Sequence, residues 1–339
     1  MPAPPRRGPS SRRDRAAPGA PFKVRWSGFR PFCDYWGNEL KRYYQLETLA
    51  AAVEWSLRGK DRFLLPSVRA VLGPAPVTSL DFQLFQEGRH QLIFRLHAAN
   101  ARRKRAAFGF VVAKNAQEHS AVARAEHRNL ETLHDRAPRF VVRPFRGGNV
   151  FLPDRHGRKG HDREVYAYLT EWLAPFHELG VNKDLQFFLN TVKPHTLSRA
   201  QTEHVKGLII EVMARTYRAK EHNAMAAPEI ASGDFVATHP DRGPQRLKLI
   251  ACRALIRTTP AKYLQTMLSS AWDWGEKTFH LCPEQPETLY AALQRALGAE
   301  EARAWIAQHA DAVRRGAIPD LLPKYRAALH GLAVDNVLR

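Results

Sequence analysis

The sequence predicts an α+β protein, because its pattern changes once along its 339 residues. Between 77 and 168, apolar and polar side chains alternate in short runs joined by tight turns, as in an antiparallel sheet. From 169 onward, apolar positions recur mainly at helical spacing, interrupted by one short hairpin. Hydrophobic residues make up 44% and charged residues 25%, a balance that suits a folded globular chain. No run is long and apolar enough to span a bilayer.

Each segment follows from its residues. Residues 1–20 are rich in Pro, Arg, Ala and Ser, offer no apolar face, and are expected to form a disordered basic tail. Residues 21–76 read as an N-terminal extension. Order begins near Trp26, and 40–58 carry apolar groups at helical spacing. Residues 79–85 and 91–96 alternate as strands around the turn Glu87-Gly88-Arg89, and a basic loop at 100–105 leads to a third strand, 107–114. Residues 119–136 form a helix with Ala125, Leu130 and Leu133 on its apolar side, ending before Pro138. Short strands are expected at 140–142 and 150–152, and 165–172 is a buried strand entering a linker. The clearest long helix is 199–220, with Val205, Leu208, Ile209, Val212, Met213 and Tyr217 as its core stripe. A hairpin follows at 234–239 and 246–250, and 260–335 read as helices.

The net charge of +19 raises the local concentration of anions, so nucleotides, anionic glycans, lipid surfaces and nucleic acid all fit it. The run Arg102-Arg103-Lys104-Arg105 is the densest patch within the body, and a solvated hairpin tip explains it equally well. No recognisable nucleic-acid module accompanies the charge. Cys33, Cys252 and Cys282 form no close pair, which argues against a disulfide framework or a zinc site. His177-Glu178 and His222-Asn223 lack partners at ligand spacing. The basic N-terminus has no apolar stretch behind it and does not read as a secretory signal. The expected location is cytoplasmic, with the charge permitting peripheral contact with the inner face of the membrane.

The order of elements resembles the protein-kinase-like superfamily over roughly residues 77–260. That resemblance implies a two-lobed fold, with an antiparallel-sheet N-lobe over 77–168 and a mainly helical C-lobe over 169–339. It implies that Gly88 is a reduced glycine-rich loop, Lys114 holds nucleotide phosphates, Glu126 is the ion-pair partner of that lysine, and Asp234 accepts the hydroxyl proton. Thr170, Glu171 and Trp172 fall where a hinge meets adenine through backbone groups. Plainer roles compete with these: a strand-end lysine reaching water, a solvated helix carboxylate, an ordinary turn aspartate.

Within the superfamily the chain is most similar to the bacterial lipopolysaccharide kinases, which phosphorylate Kdo or core heptose. In Gly233-Asp234-Phe235-Val236-Ala237-Thr238-His239 the aspartate and histidine keep that group's spacing, and Arg246-Leu247-Lys248-Leu249-Ile250 keeps its following strand. The resemblance implies ATP, Mg²⁺ and an anionic glycan or glycolipid acceptor. The sequence departs where a metal-binding aspartate should follow Ile250, since Ala251 and Cys252 stand there and neither offers oxygen to a hard cation. A metal would then rest on Asp234, His239 or an acid elsewhere. Two functions stay open: a kinase acting on a sugar hydroxyl, and a pseudokinase that binds or scaffolds. A basic nucleic-acid-binding protein, supported by charge alone, is a third. Lys114, Glu126 and Asp234 are expected to converge on one cleft.

Overall fold

The computed structural model describes residues 13–15, 22–28, 46–58, 61–88, 90–152, 163–191, 193–226, 232–274, 277–320 and 322–335. The chain divides into two compact units, Met1–Arg128 with Arg143–Trp172, and Asn129–Val142 with Leu173–Arg339.

The first unit is built on a sheet in the order β1-β2-β3-β4-β5-β7-β6. Its strands are β1 (Arg13–Arg15), β2 (Lys23–Ser27), β3 (Val77–Glu87), β4 (Gln91–Asn100), β5 (Arg105–Ala113), β6 (Pro144–Leu152) and β7 (Arg163–Glu171). The three strands expected at 79–114 are β3, β4 and β5. The sheet is mixed, not purely antiparallel, because β2 runs parallel to β3. Parallel neighbours need a crossover between them. Here α1 (Leu46–Leu57) and α2 (Leu64–Leu72) lie on the connecting stretch, and both pack against β6. Among the described residues of 21–76, Val24, Trp26, Leu49, Val53, Leu64 and Val68 belong to the unit's core. The expected 40–58 helix is described from Leu46, and 29–45 lie outside the described residues. Of residues 1–20, the expected disordered tail, Arg13–Arg15 are described and pair antiparallel with β2; the rest lie outside the described residues.

One face of β3, β4 and β5 is aromatic. Phe82, Phe94, Phe108 and Phe110 are buried there with Val24 and Trp26 of β2. The Trp26 ring stacks on Phe82, with centroids 4.1 Å apart, and meets Phe94 edge-on at 5.5 Å. These contacts key the parallel strand into its place. Asp61 secures the start of α2, its carboxylate accepting the amides of Phe63, Leu64 and Leu65 at 3.1, 2.9 and 2.5 Å. Those amides belong to the orphan donors of a helix N-terminus. Gly73 closes the other end at φ 87°, a conformation that favours glycine.

Helix α3 (Glu118–Arg136) follows β5, one residue from the expected start. The short strand expected at 140–142 is a single parallel bridge from Val141 to Leu249, held by Val142 donating to the Leu249 carbonyl. The strand expected at 150–152 is the end of the longer β6.

The second unit differs most from expectation just after the linker. Residues 173–198 were expected to be mostly helical, yet they form β8 (Phe176–Val181), β9 (Phe187–Leu189) and β10 (His195–Thr196). These join β12 (Phe235–Thr238) and β13 (Leu247–Leu249) in the order β10-β9-β8-β12-β13. The runs are too short for a period to show, so only cross-strand pairing defines them. The expected hairpin is β12 and β13, paired antiparallel. A small pair joins β11 (Asn223–Met225) to β14 (Leu255–Arg257), and β15 (Ala271–Trp274) with β16 (Lys277–His280) interrupts the expected run of helices.

Helix α4 (Arg199–Thr216) opens with a capping box, Ser198 accepting from the Gln201 amide while the Gln201 side chain accepts from Ser198 N–H. Helices α5 (Pro260–Ser269), α6 (Pro286–Leu297), α7 (Ala299–Arg314) and α8 (Pro323–Asp335) complete the unit. At Gly207 a Cβ would sit 2.9 Å from the Thr288 methyl, so α4 and α6 approach where no side chain intervenes. Among the described residues no helix is long and apolar enough to cross a membrane.

Two predictions follow from this packing. Trp26→Ala removes the stacking partner of Phe82 and should cost about 3 kcal/mol in chemical denaturation, the usual range for a buried large aromatic. The second concerns His309 on α7, buried with Nε2 2.7 Å from Gln265 Oε1. Burial, then the charge of Arg326, lowers its pKa. The folded state therefore keeps it neutral, while the unfolded chain binds a proton below about pH 6.5. Stability should fall as pH drops below that value, and thermal melts at pH 7.5 and 5.5 should show His309→Gln flattening the decline.

Candidate functional site

The expected site residues fall into two groups, one in each unit. In the first unit, Lys114 follows the last residue of β5, and its amide donates to the His90 carbonyl at 3.0 Å. Its Nζ lies 3.0 Å from Glu87 Oε1, and both side chains are buried. Lys114 is thus not a strand-end lysine reaching water. Its observed carboxylate partner is Glu87, a residue that the sequence reading left in the turn. Gly88 continues that turn, its amide donating to Gln91 O at 2.9 Å. A Cβ on Gly88 would meet only the Gln91 carbonyl at 3.6 Å, so space does not demand a glycine there. Arg89 lies outside the described residues.

Glu126, on α3, is buried rather than solvated. Its Oε1 accepts from Gln91 Nε2 at 3.1 Å and from Tyr168 O–H at 2.5 Å. Burial, then the charge of Glu126, pushes the Tyr168 phenol well above its usual pKa, so it remains a donor. Next along the helix, His127 contacts Phe145 O through Nε2 at 2.6 Å and Tyr166 O–H through Nδ1 at 2.8 Å. A carbonyl can only accept, so Nε2 carries the proton and Nδ1 accepts from the tyrosine. Glu126 and His127 together pin α3 to β6 and β7.

Glu171 is tied to Arg143 of its own unit. Its amide donates to Arg143 O at 2.9 Å, and its Oε1 accepts from the Arg143 amide at 3.0 Å. Trp172 meets exposed Phe85 edge-on at 4.9 Å, with the Arg95 guanidinium 5.2 Å from its ring centre.

A further cluster at this end of the sheet had no counterpart in the sequence reading. His90, Glu118 and His119 each present a ligand atom, all within 4.8 Å of one another. The set suits a borderline cation such as Zn²⁺. Only the turn between β3 and β4 brings His90 to the start of α3, so sequence spacing carried no signal.

In the second unit, Asp234 ends a single 3₁₀ turn, Ser232–Asp234, and leads into β12. It is buried, and its two carboxylate oxygens accept from the two terminal nitrogens of Arg253 at 2.9 and 3.0 Å. This parallel fork is the strongest geometry available to an arginine and a carboxylate. The segment carrying Arg253 is held in turn: Asn129 Nδ2 donates to the carbonyls of Cys252 and Arg253, each at 3.0 Å. The Cys252 thiol is buried and donates to Ala254 O at 3.4 Å. Gly233 has a spatial reason, since a Cβ there would meet Glu178 Oε1 at 2.5 Å.

His239 follows β12, at the other end of the strand from Asp234. The two flank β12, five residues apart, which is roughly 16 Å of extended chain. His239 instead accepts the Asp241 amide through Nδ1 at 3.3 Å, and its ring lies 4.3 Å from that of His195.

Comparison with protein-family models and with curated proteins finds no match to this chain.

The Glu87 and Lys114 pair carries a double-mutant test. Lys114→Met or Glu87→Gln alone leaves one charged or polar group buried without its partner and should cost about 3 kcal/mol. The double replacement Lys114→Met with Glu87→Leu should cost less than either single change when measured by urea denaturation.

Proposed function

We propose that the chain is a kinase-like protein that holds a nucleotide-type ligand without metal-dependent phosphoryl transfer. In this reading the two units are the N-lobe and C-lobe of the superfamily fold, and ATP is the ligand class. The order of a hairpin sheet, one helix, a connecting strand, a long helix, a short hairpin and further helices supports it.

The observation that carries the reading is the fork between Asp234 and Arg253. A catalytic base needs an oxygen facing the hydroxyl whose proton it takes. Both Asp234 oxygens are engaged by the guanidinium. A Mg²⁺ ion needs oxygen ligands, and the two residues before Arg253 are Ala251, whose side chain offers none, and Cys252, whose buried thiol donates to the Ala254 carbonyl. The fork thus performs the charge neutralisation that a metal would perform in an active kinase.

The competing reading is ATP-dependent phosphorylation of a hydroxyl on a lipopolysaccharide-type sugar. One observation favours it: a lysine is retained, fully buried, at the end of β5. A pure scaffold has no need to bury a cation there.

Thermal melts with ATP, with and without Mg²⁺, separate the two. Ligand at 100 times its Kd stabilises the native state by about 2.7 kcal/mol. The expected result is a rise in Tm that does not depend on metal, with no transfer activity and no effect of Asp234→Asn on ATP affinity. Metal-dependent turnover that Asp234→Asn abolishes would establish the enzyme instead. If ATP leaves the Tm unchanged in both conditions, the kinase-like reading fails.

A further inference from the structure

The face of the first sheet opposite its aromatic core carries an organised set of charges. The register of β2, β3, β4 and β5 lines up two rows of residues across this face. Lys23 pairs with Ser79, Ser79 with Ala99, and Ala99 with Arg105. One step along, Arg25 pairs with Asp81, Asp81 with His97, and His97 with Ala107. Residues two apart on a strand share a face, so both rows look the same way. They line an open depression of about 580 Å³.

The arrangement is graded. Ser79, Ala99 and Ala107 are small and leave the middle of the face hollow. Lys23 and Arg25 stand along one side and Arg105 along the other, and all three are exposed. The two sides are three strand spacings apart, roughly 14 Å between backbones. Long basic side chains reaching inward close much of that distance. Asp81 and His97 lie between them. Burial, then the charge of Arg95, lowers the pKa of His97, so its imidazole is neutral near pH 7 and offers one donor and one acceptor.

Arg105 is also the member of the basic 102–105 run that turns onto this face. Lys104 is committed elsewhere, its Nζ donating to Val71 O at 2.6 Å. The run is therefore divided between fastening the loop to the end of α2 and furnishing the depression.

We propose that this depression binds a small polyol carrying two phosphate groups. The cations on its two sides receive the phosphates, Arg105 and Arg25 being suited to bidentate contact. The carboxylate of Asp81 would repel a bare polyanion at the centre, yet it accepts hydrogen bonds from hydroxyl groups. Ser79 and neutral His97 complete a hydroxyl-binding middle. The volume lies within the range of small-molecule sites. The proposal stands apart from the nucleotide reading and uses none of its residues.

Isothermal titration of the full chain with fructose 1,6-bisphosphate tests it, alongside inorganic phosphate, unphosphorylated fructose and a short DNA duplex. The bisphosphate should bind at least about tenfold more tightly than inorganic phosphate, the worth of one added charge-assisted contact. Lys23→Ala with Arg105→Ala should weaken it by about tenfold or more at unchanged Tm, because both residues are exposed. Asp81→Asn should weaken the bisphosphate but tighten inorganic phosphate. Equal binding of bisphosphate and inorganic phosphate would overturn the proposal, as would equal affinity in the double variant or no binding at millimolar ligand. Duplex binding tighter than the bisphosphate, steeply salt-dependent and lost in the same double variant, would assign the face to nucleic acid instead.

Discussion

The two-residue period of β4 is the constraint on which the first unit depends. Leu92, Phe94, Leu96 and Ala98 face the aromatic core, and each is almost wholly buried. Arg95 and His97, between them, face the other way. A slip of one residue against β3 or β5 would bury Arg95 and His97 and expose Leu92, Phe94 and Leu96. The core therefore fixes the register, and the register in turn builds the open face. The rows that run from Lys23 to Arg105 and from Arg25 to Ala107 exist because Phe82, Phe94 and Phe110 interlock behind them.

Two charge pairs with buried carboxylates, Glu87 with Lys114 and Asp234 with the half-exposed Arg253, set the chemical character of the two units. The Glu87 and Lys114 pair closes the end of the first hairpin, and Asp234 with Arg253 closes the start of the second. In each, the low polarity of the surroundings makes an unpartnered charge costly, so each charge commits its partner. Commitment has a functional consequence. A lysine held by a neighbouring carboxylate and an aspartate held in an arginine fork are stable features of a resting protein. An Asp234 oxygen would have to leave the fork before it could take a proton.

Glu126 carries a structural task. Its hydrogen bonds to Gln91 and Tyr168 join α3 to two strands at once. His127, which no motif singled out, does comparable work through Tyr166 and the Phe145 carbonyl. Both contacts span large separations in sequence, and a helix carboxylate or imidazole looks the same in one dimension whether it faces water or a sheet.

The sequence by itself determined the elements whose period is long and regular, β3, β4 and β5, helix α3 and the body of α4, and its turn residues marked the hairpin of β12 with β13. Alternation over eight or more residues, or a stripe over several turns, reports burial directly. It also placed Lys114 at a strand end and Asp234 before a hairpin, because turn residues mark those points. Only the tertiary structure decided what those residues meet. Glu87 and Lys114 are brought together by the β3–β4–β5 register, and His90 reaches Glu118 and His119 by the same fold. The Asp234 fork depends on where Asn129 holds the segment after β13. The parallel placement of β2 and the strands β8 to β10 were illegible for a related reason. They are short, and a strand of three to six residues is defined by the neighbour it pairs with rather than by its own pattern.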